Sequence, residues 1–305
     1  MQSGLAPTAR LPALAIFMAY VVIVLGAATR VWDAGMSCPD WPHCYGTWWP
    51  WSMHEFVVGE RHYTAFQVAL EWSHRLLAAL TGLVVLPMVV LGWKRPHLRV
   101  LGLAILAVLA LQVKLGAVTV WFNNVNWSVA VHLGNAMIFI GLLAWYKKLT
   151  YAPVAVSSRL WAVSIFAILV LLTMVVGATV SSSHAGGICG GLPSCAGVWW
   201  PAGGLEQVHV LHRLLAVGVL LASVLLMIFA KKSGNNSARR TAKGLHVLVW
   251  GQVAFGVATL YSFEFYPAWY EWLSVAHLAW GTLLWLAAVG AVLKARYGAA
   301  GPFHG

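Results

Sequence analysis

Glu71-Trp72-Ser73-His74-Arg75 places a carboxylate and an imidazole three residues apart, so on a helix both look at the same neighbour. His209-Val210-Leu211-His212-Arg213 follows 138 residues later with the same His-Arg pair, but His209 stands where the first copy has its acid. His74, His132, His212 and His277 each lie about five residues inside one end of an apolar run, roughly 7–8 Å deep at 1.5 Å per residue. A lone histidine inside a membrane is most often a hydrogen-bonded packing residue. Four at one depth, in two matched sets, point instead to ligands. His74 facing His132, and His212 facing His277, would suit the two axial positions of a haem iron. Zinc fits poorly, because it asks for tighter, tetrahedral clustering with cysteine or carboxylate.

The charged neighbours have roles to weigh. Glu71, one turn from an axial candidate, can pass protons or stabilise a positive intermediate. The plainer alternative is an acid that suits a helix start through the macrodipole. Arg75 and Arg213 lie inside apolar runs, where a guanidinium needs an anion such as a haem propionate, or else snorkels to the interface. Arg30 is similar, and Lys114 is an intramembrane charge whose partner is a propionate or Glu71. Gly116, Gly134, Gly218, Gly256 and Gly281 would let helices or a flat ring approach closely.

The elements that carry these residues follow from composition. The chain has 305 residues, of which 61% are hydrophobic and only 9% charged, with a mean hydropathy of +0.78. Runs of about 20 apolar residues recur along its length, each long enough to span a bilayer. Eight spans are expected, at about 12–32, 72–93, 98–121, 127–147, 158–181, 207–231, 241–262 and 272–295. The formal charge of +11 is topology and no nucleic-acid footprint. Fourteen of the 19 Lys and Arg lie at alternate ends of the runs, among them Arg10, Arg159 and Lys294, and all eight acids at the opposite ends. Both termini are then cytoplasmic, and the long loops face outward across a bacterial-type plasma membrane. The first span reads as an uncleaved helix and not as a signal peptide, because the fifth span repeats its ending.

The chain is an internal duplication. Gly35 to Cys38, Cys44 and Trp48-Trp49-Pro50 recur 151 residues later as Gly186 to Cys189, Cys195 and Trp199-Trp200-Pro201. Gln112-Val113, Gly116 and Thr119 recur 140 residues later as Gln252-Val253, Gly256 and Thr259. The fold expected is therefore all-α: two parallel, pseudo-symmetric four-helix bundles, residues 1–152 and 153–305, joined by a plain link near 148–157. Each long outer loop carries two cysteines, Cys38 and Cys44 in the first, Cys189 and Cys195 in the second. In an oxidising compartment these form disulfides. Three connectivities are open, of which pairing within each loop is the simplest, and a structural staple and a redox-active pair both fit. His97, His246 and His304, and the loop residues His43, His54, His62 and His184, carry only weak signals, and the tryptophan-rich loop segments read as interfacial belt residues.

With these motifs in place, the chain resembles the haem A synthase family from about residue 20 to 295. The pieces are Gly26-Ala27-Ala28-Thr29-Arg30, Gly35-Met36-Ser37-Cys38-Pro39-Asp40-Trp41-Pro42, Glu71-x-x-His74-Arg75 and the three further histidines. Trp32-Asp33 stands where the family more often has Thr and Ser. The resemblance implies an eight-helix oxidoreductase that converts the C8 methyl of haem O to the formyl of haem A for cytochrome oxidase assembly. It implies substrate haem between His74 and His132 and a haem b between His212 and His277, passing electrons. Glu71 would be the catalytic carboxylate, and Cys38/Cys44 an outer-loop pair linked to activity. Its partners would be haem O, the enzyme that makes it, and membrane lipid, while a quinone acceptor and a homo-oligomer stay open.

Two rivals come from other classes. A two-haem cytochrome for quinol-linked electron transfer expects its haems near opposite faces, whereas all four histidines lie toward one. A parallel-repeat transporter wants midplane polar residues and broken helices, and apart from Lys114 few are seen.

Overall fold

The computed structural model describes residues 6–52, 55–151 and 161–298. His54, Arg159, His304 and the boundary at 152/153 lie outside the described residues. Eight helices dominate: α1 (Ala6–Val31), α2 (Ala65–Gly92), α3 (Pro96–Trp121), α4 (Asn126–Tyr151), α5 (Trp161–Ser182), α6 (Gly204–Lys232), α7 (Asn236–Phe265) and α8 (Pro267–Tyr297). All eight are long and apolar enough to cross a membrane, and the chain is an integral membrane protein. The loop after α1 adds one element that periodicity does not reveal, a hairpin of β1 (Phe56–Val58) against β2 (Arg61–Tyr63).

Local chemistry sets the helix ends. At the head of α2, Thr64 accepts from the Gln67 N–H while the Gln67 side chain accepts from the Thr64 N–H, a reciprocal cap. Asn235 caps α7 in the same spirit. Pro96 and Pro267 open α3 and α8, where a missing N–H does no harm. Most of the helices start a few residues earlier than hydropathy places them, α2 by seven. His74, His132, His212 and His277 lie six to ten residues past the first residue of their helices, His132 close to the expected five and the other three farther in.

Helices α1 to α4 close one ring of neighbours and α5 to α8 another, with α1, α4, α5 and α8 meeting between the rings. The apolar core sits at that junction, with Ile140, Leu143, Phe166 and Ala288 almost fully enclosed. Half of α4's apolar window is buried but only 6% of α3's, so α4 is an inner wall and α3 an outer one. Hydrogen bonds cross the junction: Trp285 Nε1 donates to the Met137 carbonyl at 2.8 Å, and Trp145 Nε1 to the Tyr297 hydroxyl at 2.9 Å.

Candidate functional site

Each of the four histidines packs its ring over a glycine on the helix before its own. A Cβ at Gly26 would lie 3.0 Å from the His74 ring, at Gly116 3.4 Å from His132, at Gly177 2.7 Å from His212 and at Gly256 3.1 Å from His277. At Gly177 a side chain would force the ring to move, at Gly26 and Gly256 it would crowd the ring, and at Gly116 it would only touch it. Gly116 and Gly256 stand out in the sequence through the 140-residue repeat. Gly26 and Gly177, 151 residues apart, carry the same signal in the repeated ending of the first and fifth spans. Among the other glycines singled out, Gly134 and Gly281 make close helix contacts, whereas nothing lies near Gly218.

The ring nitrogens are held in matched fashion. His74 Nδ1 lies 3.1 Å from the Val22 carbonyl on α1, and His212 Nδ1 lies 3.0 Å from the Thr173 carbonyl on α5. An N–H donated there fixes the tautomer and leaves Nε2 with a free lone pair, as in most metal-bound histidines. His132 and His277 are met by Gln112 and Gln252, whose amide nitrogens lie 3.2 Å from each Nε2. Asn135 in turn donates to the Gln112 oxygen at 2.6 Å. The two glutamines are visible in the sequence as a repeat, but nothing there says that they touch the histidines.

The pairing is clearest in the second ring. The His212 and His277 centroids are 6.3 Å apart, with the planes at 81°. Two imidazoles on opposite sides of one metal, at about 2.0 Å per bond, would stand roughly 6 Å apart by centroid. A small apolar cavity of about 40 Å³ lies nearby, lined by Val170, Met174, Val219 and Gln252 among others. In the first ring the buried Nδ1 of His132 has no hydrogen-bond partner among the described residues. In the second ring the spacing of the two imidazoles fits a haem iron; Nε2 of both His132 and His277 accepts from a glutamine amide, and the free donor of His132 is its Nδ1.

Glu71 is 3% exposed, deep in the protein and not at a helix mouth. Its Oε1 accepts from Arg75 at 2.5 Å, and its Oε2 accepts from the Ser37 hydroxyl at 3.0 Å and the Cys38 N–H at 2.8 Å. Arg75 also donates to the Asp40 carbonyl at 2.6 Å and the Cys38 carbonyl at 3.2 Å. The first loop therefore hangs from α2 by an ion pair and a set of backbone bonds. In the second ring Arg213 donates to the carbonyls of Cys189, Gly191, Pro193 and Ser194. Neither arginine snorkels; their donors are largely taken up by the loops above them. His209, in the place of Glu71, is buried with Nδ1 unpartnered among the described residues.

Disulfides join Cys38 to Cys44 and Cys189 to Cys195, which resolves the connectivity. Arg30 meets Asp33 at 3.0 Å and donates to the Ser182 carbonyl at 2.6 Å, so it ties α1 to α5. Lys114 lies exposed on α3, on the side away from Gln112, and meets neither Glu71 nor another acid among the described salt bridges.

The model of the family described as COX15-CtaA, cytochrome oxidase assembly protein, matches residues 9–289. A haem A synthase of Shouchella clausii is 28% identical over 264 residues, covering 80% of this chain and 83% of the relative. One of Granulibacter bethesdensis is 29% identical over 322 aligned positions, covering 90% and 83%. One of Maricaulis maris is 28% identical over 328, covering 90% and 92%. With a match that runs through all eight helices, the chain belongs to the COX15-CtaA family of cytochrome oxidase assembly proteins, the haem A synthase family that its motifs resemble.

Proposed function

We propose that this protein makes haem A by oxidising the C8 methyl of haem O to a formyl group. Two parallel halves, 1–152 and 153–305, divide the work. Substrate haem lies between His74 and His132, and a haem b between His212 and His277. Both termini are cytoplasmic and both disulfide loops lie outside. Bound in the second half, the haem b iron supplies one-electron redox chemistry and an exit for electrons.

This chain's own residues supply the rest. Val22 and Thr173 orient His74 and His212 through their Nδ1 atoms, so each presents Nε2 inward. Gln112 and Gln252 each hold Nε2 of the opposing ring by an amide N–H, a bond that would give way where that nitrogen takes the iron. Glu71, fixed by Arg75, Ser37 and the Cys38 N–H, takes the protons that methyl oxidation releases. Arg75 and Arg213 hold the loops, and a haem propionate would have to share their guanidinium groups with those loop acceptors. The Cys38–Cys44 pair is linked to turnover by its direct bond to Glu71 through the Cys38 amide.

The observation that carries this reading is the asymmetry: two histidine pairs on like supports, with an acid beside only the first. Its test is Glu71→Gln in haem O-producing cells. Haem content should be kept and haem A lost; an undiminished haem A yield would refute the acid's role.

A further inference from the structure

The two outer loops share one backbone and differ in what they put on it. Leu192-Pro193 repeats the cis bond of Trp41-Pro42, and Ala196 and Gly197 repeat the positive φ of Tyr45 and Gly46. Cys195 bridges to Val198 as Cys44 does to Thr47. Arg213 reaches the carbonyls of Cys189 and Gly191 as Arg75 reaches those of Cys38 and Asp40. Yet Ser37, Asp40, Tyr45 and Glu71 are answered by Ile188, Gly191, Ala196 and His209. Every protic side chain in this set that belongs to the first loop's interior, or to the helix beneath it, is missing over the second pair of histidines or replaced by an imidazole. The shared backbone needs none of them, since the second loop folds alike without them.

Asp40 and Tyr45 also hold polar atoms that the loop itself does not use. Asp40 Oδ2 accepts from the Gly46 N–H at 2.9 Å, while Oδ1 is buried without a hydrogen-bond partner among the described residues. The Tyr45 hydroxyl is buried and unpartnered in the same way. Its ring stacks edge-on to Phe56 at 5.5 Å and packs on the cluster of Cys38, Cys44 and Val68, one turn before Glu71 on α2. Buried polar groups are seldom left unpaired, and an ordered water is the usual partner. Burial, together with Tyr63, Glu71 and Asp40 nearby, pushes the Tyr45 phenol above its ordinary range, so it stays a donor.

We infer that Tyr45 and Asp40, bridged by buried water, form the outward leg of a proton route that starts at Glu71 and exists in the first half alone. This rests on the reading of Glu71 as the proton acceptor. The Glu71 carboxyl gives its proton toward the Tyr45 oxygen as Tyr45 gives its own hydroxyl proton to the Asp40 carboxylate. One proton moves, no electrons do, and Tyr45 ends unchanged. Asp40, between the exposed Pro39 and Trp41, then releases the proton to solvent. Tyr45 and Asp40 act through Glu71 and are positioning residues.

The test compares Tyr45→Phe, Asp40→Asn and Glu71→Gln in full-length protein reconstituted in nanodiscs. The infrared carboxyl band lost in Glu71→Gln is assigned to Glu71. That band should shift in Tyr45→Phe and in Asp40→Asn, with bound haem unchanged. Haem A formation should fall roughly 10–100-fold in both, with a larger solvent deuterium isotope effect. An unmoved band with wild-type turnover and isotope effect overturns the route, as does loss of bound haem in both variants, which would make the pair mere packing. If Glu71→Gln is inactive while the other two are normal, only the outward leg fails. If Glu71→Gln itself makes haem A normally, the acid's role fails.

Discussion

At the scale of single residues, the histidines are set by what lies behind them. Each ring rests on a glycine of the preceding helix, so the backbone, not the side chain, fixes how far the imidazole reaches into the bundle. Gly177 is the tightest of the four for a histidine, with a Cβ position 2.7 Å from His212. Gly177→Val should therefore push His212 off its Thr173 anchor and remove one haem signal while the other is kept, as optical and paramagnetic resonance spectra would reveal. Spectra identical to wild type would show that the close approach has no bearing on ligation. Glu71 makes the complementary point. Its type and its spacing to His74 and Arg75 are plain in the sequence, whereas Ser37 and the Cys38 N–H come from a loop some 34 residues upstream, contacts that no periodicity encodes.

Among the elements, the two outer loops are held by one arginine each. A buried carboxylate that loses its partner is strongly destabilised, by about 3–5 kcal/mol. Arg75→Ala should thus lower stability by roughly that amount and loosen residues 35–50. Arg213→Ala breaks carbonyl bonds only, leaves no orphaned charge and should have a smaller effect. Thermal unfolding with hydrogen exchange on the two variants checks this; equal losses would count against the ion pair. The eight spans were legible because long apolar runs have few other uses, and the cysteine pairing because the two cysteines of each loop lie only six residues apart. The helix starts were not, since caps such as Thr64/Gln67 extend α2 through residues that hydropathy reads as loop. The β1–β2 hairpin was hidden too, being three residues per strand. An anion was expected for Arg75 and found in Glu71, but the carbonyl cradle of Arg213 needed coordinates, because backbone acceptors leave no mark on composition.

For the whole molecule, the central claim is a division of labour between two like halves. The inner helices α1, α4, α5 and α8 meet along one core, a shared wall that carries His132 on α4 and His277 on α8. Such a wall suits electron passage between two bound haems, while only the first half carries the acid and its polar loop. Single-site pigment analysis tests this most directly. The purified protein from haem O-producing cells should hold two haems of different kind per chain. His277→Met should alter the spectrum of the haem b alone and leave the extractable haem O or A in place, and His74→Ala should do the reverse. If either substitution changes both haems together, or if wild-type protein yields haem b only, the two-site account is wrong.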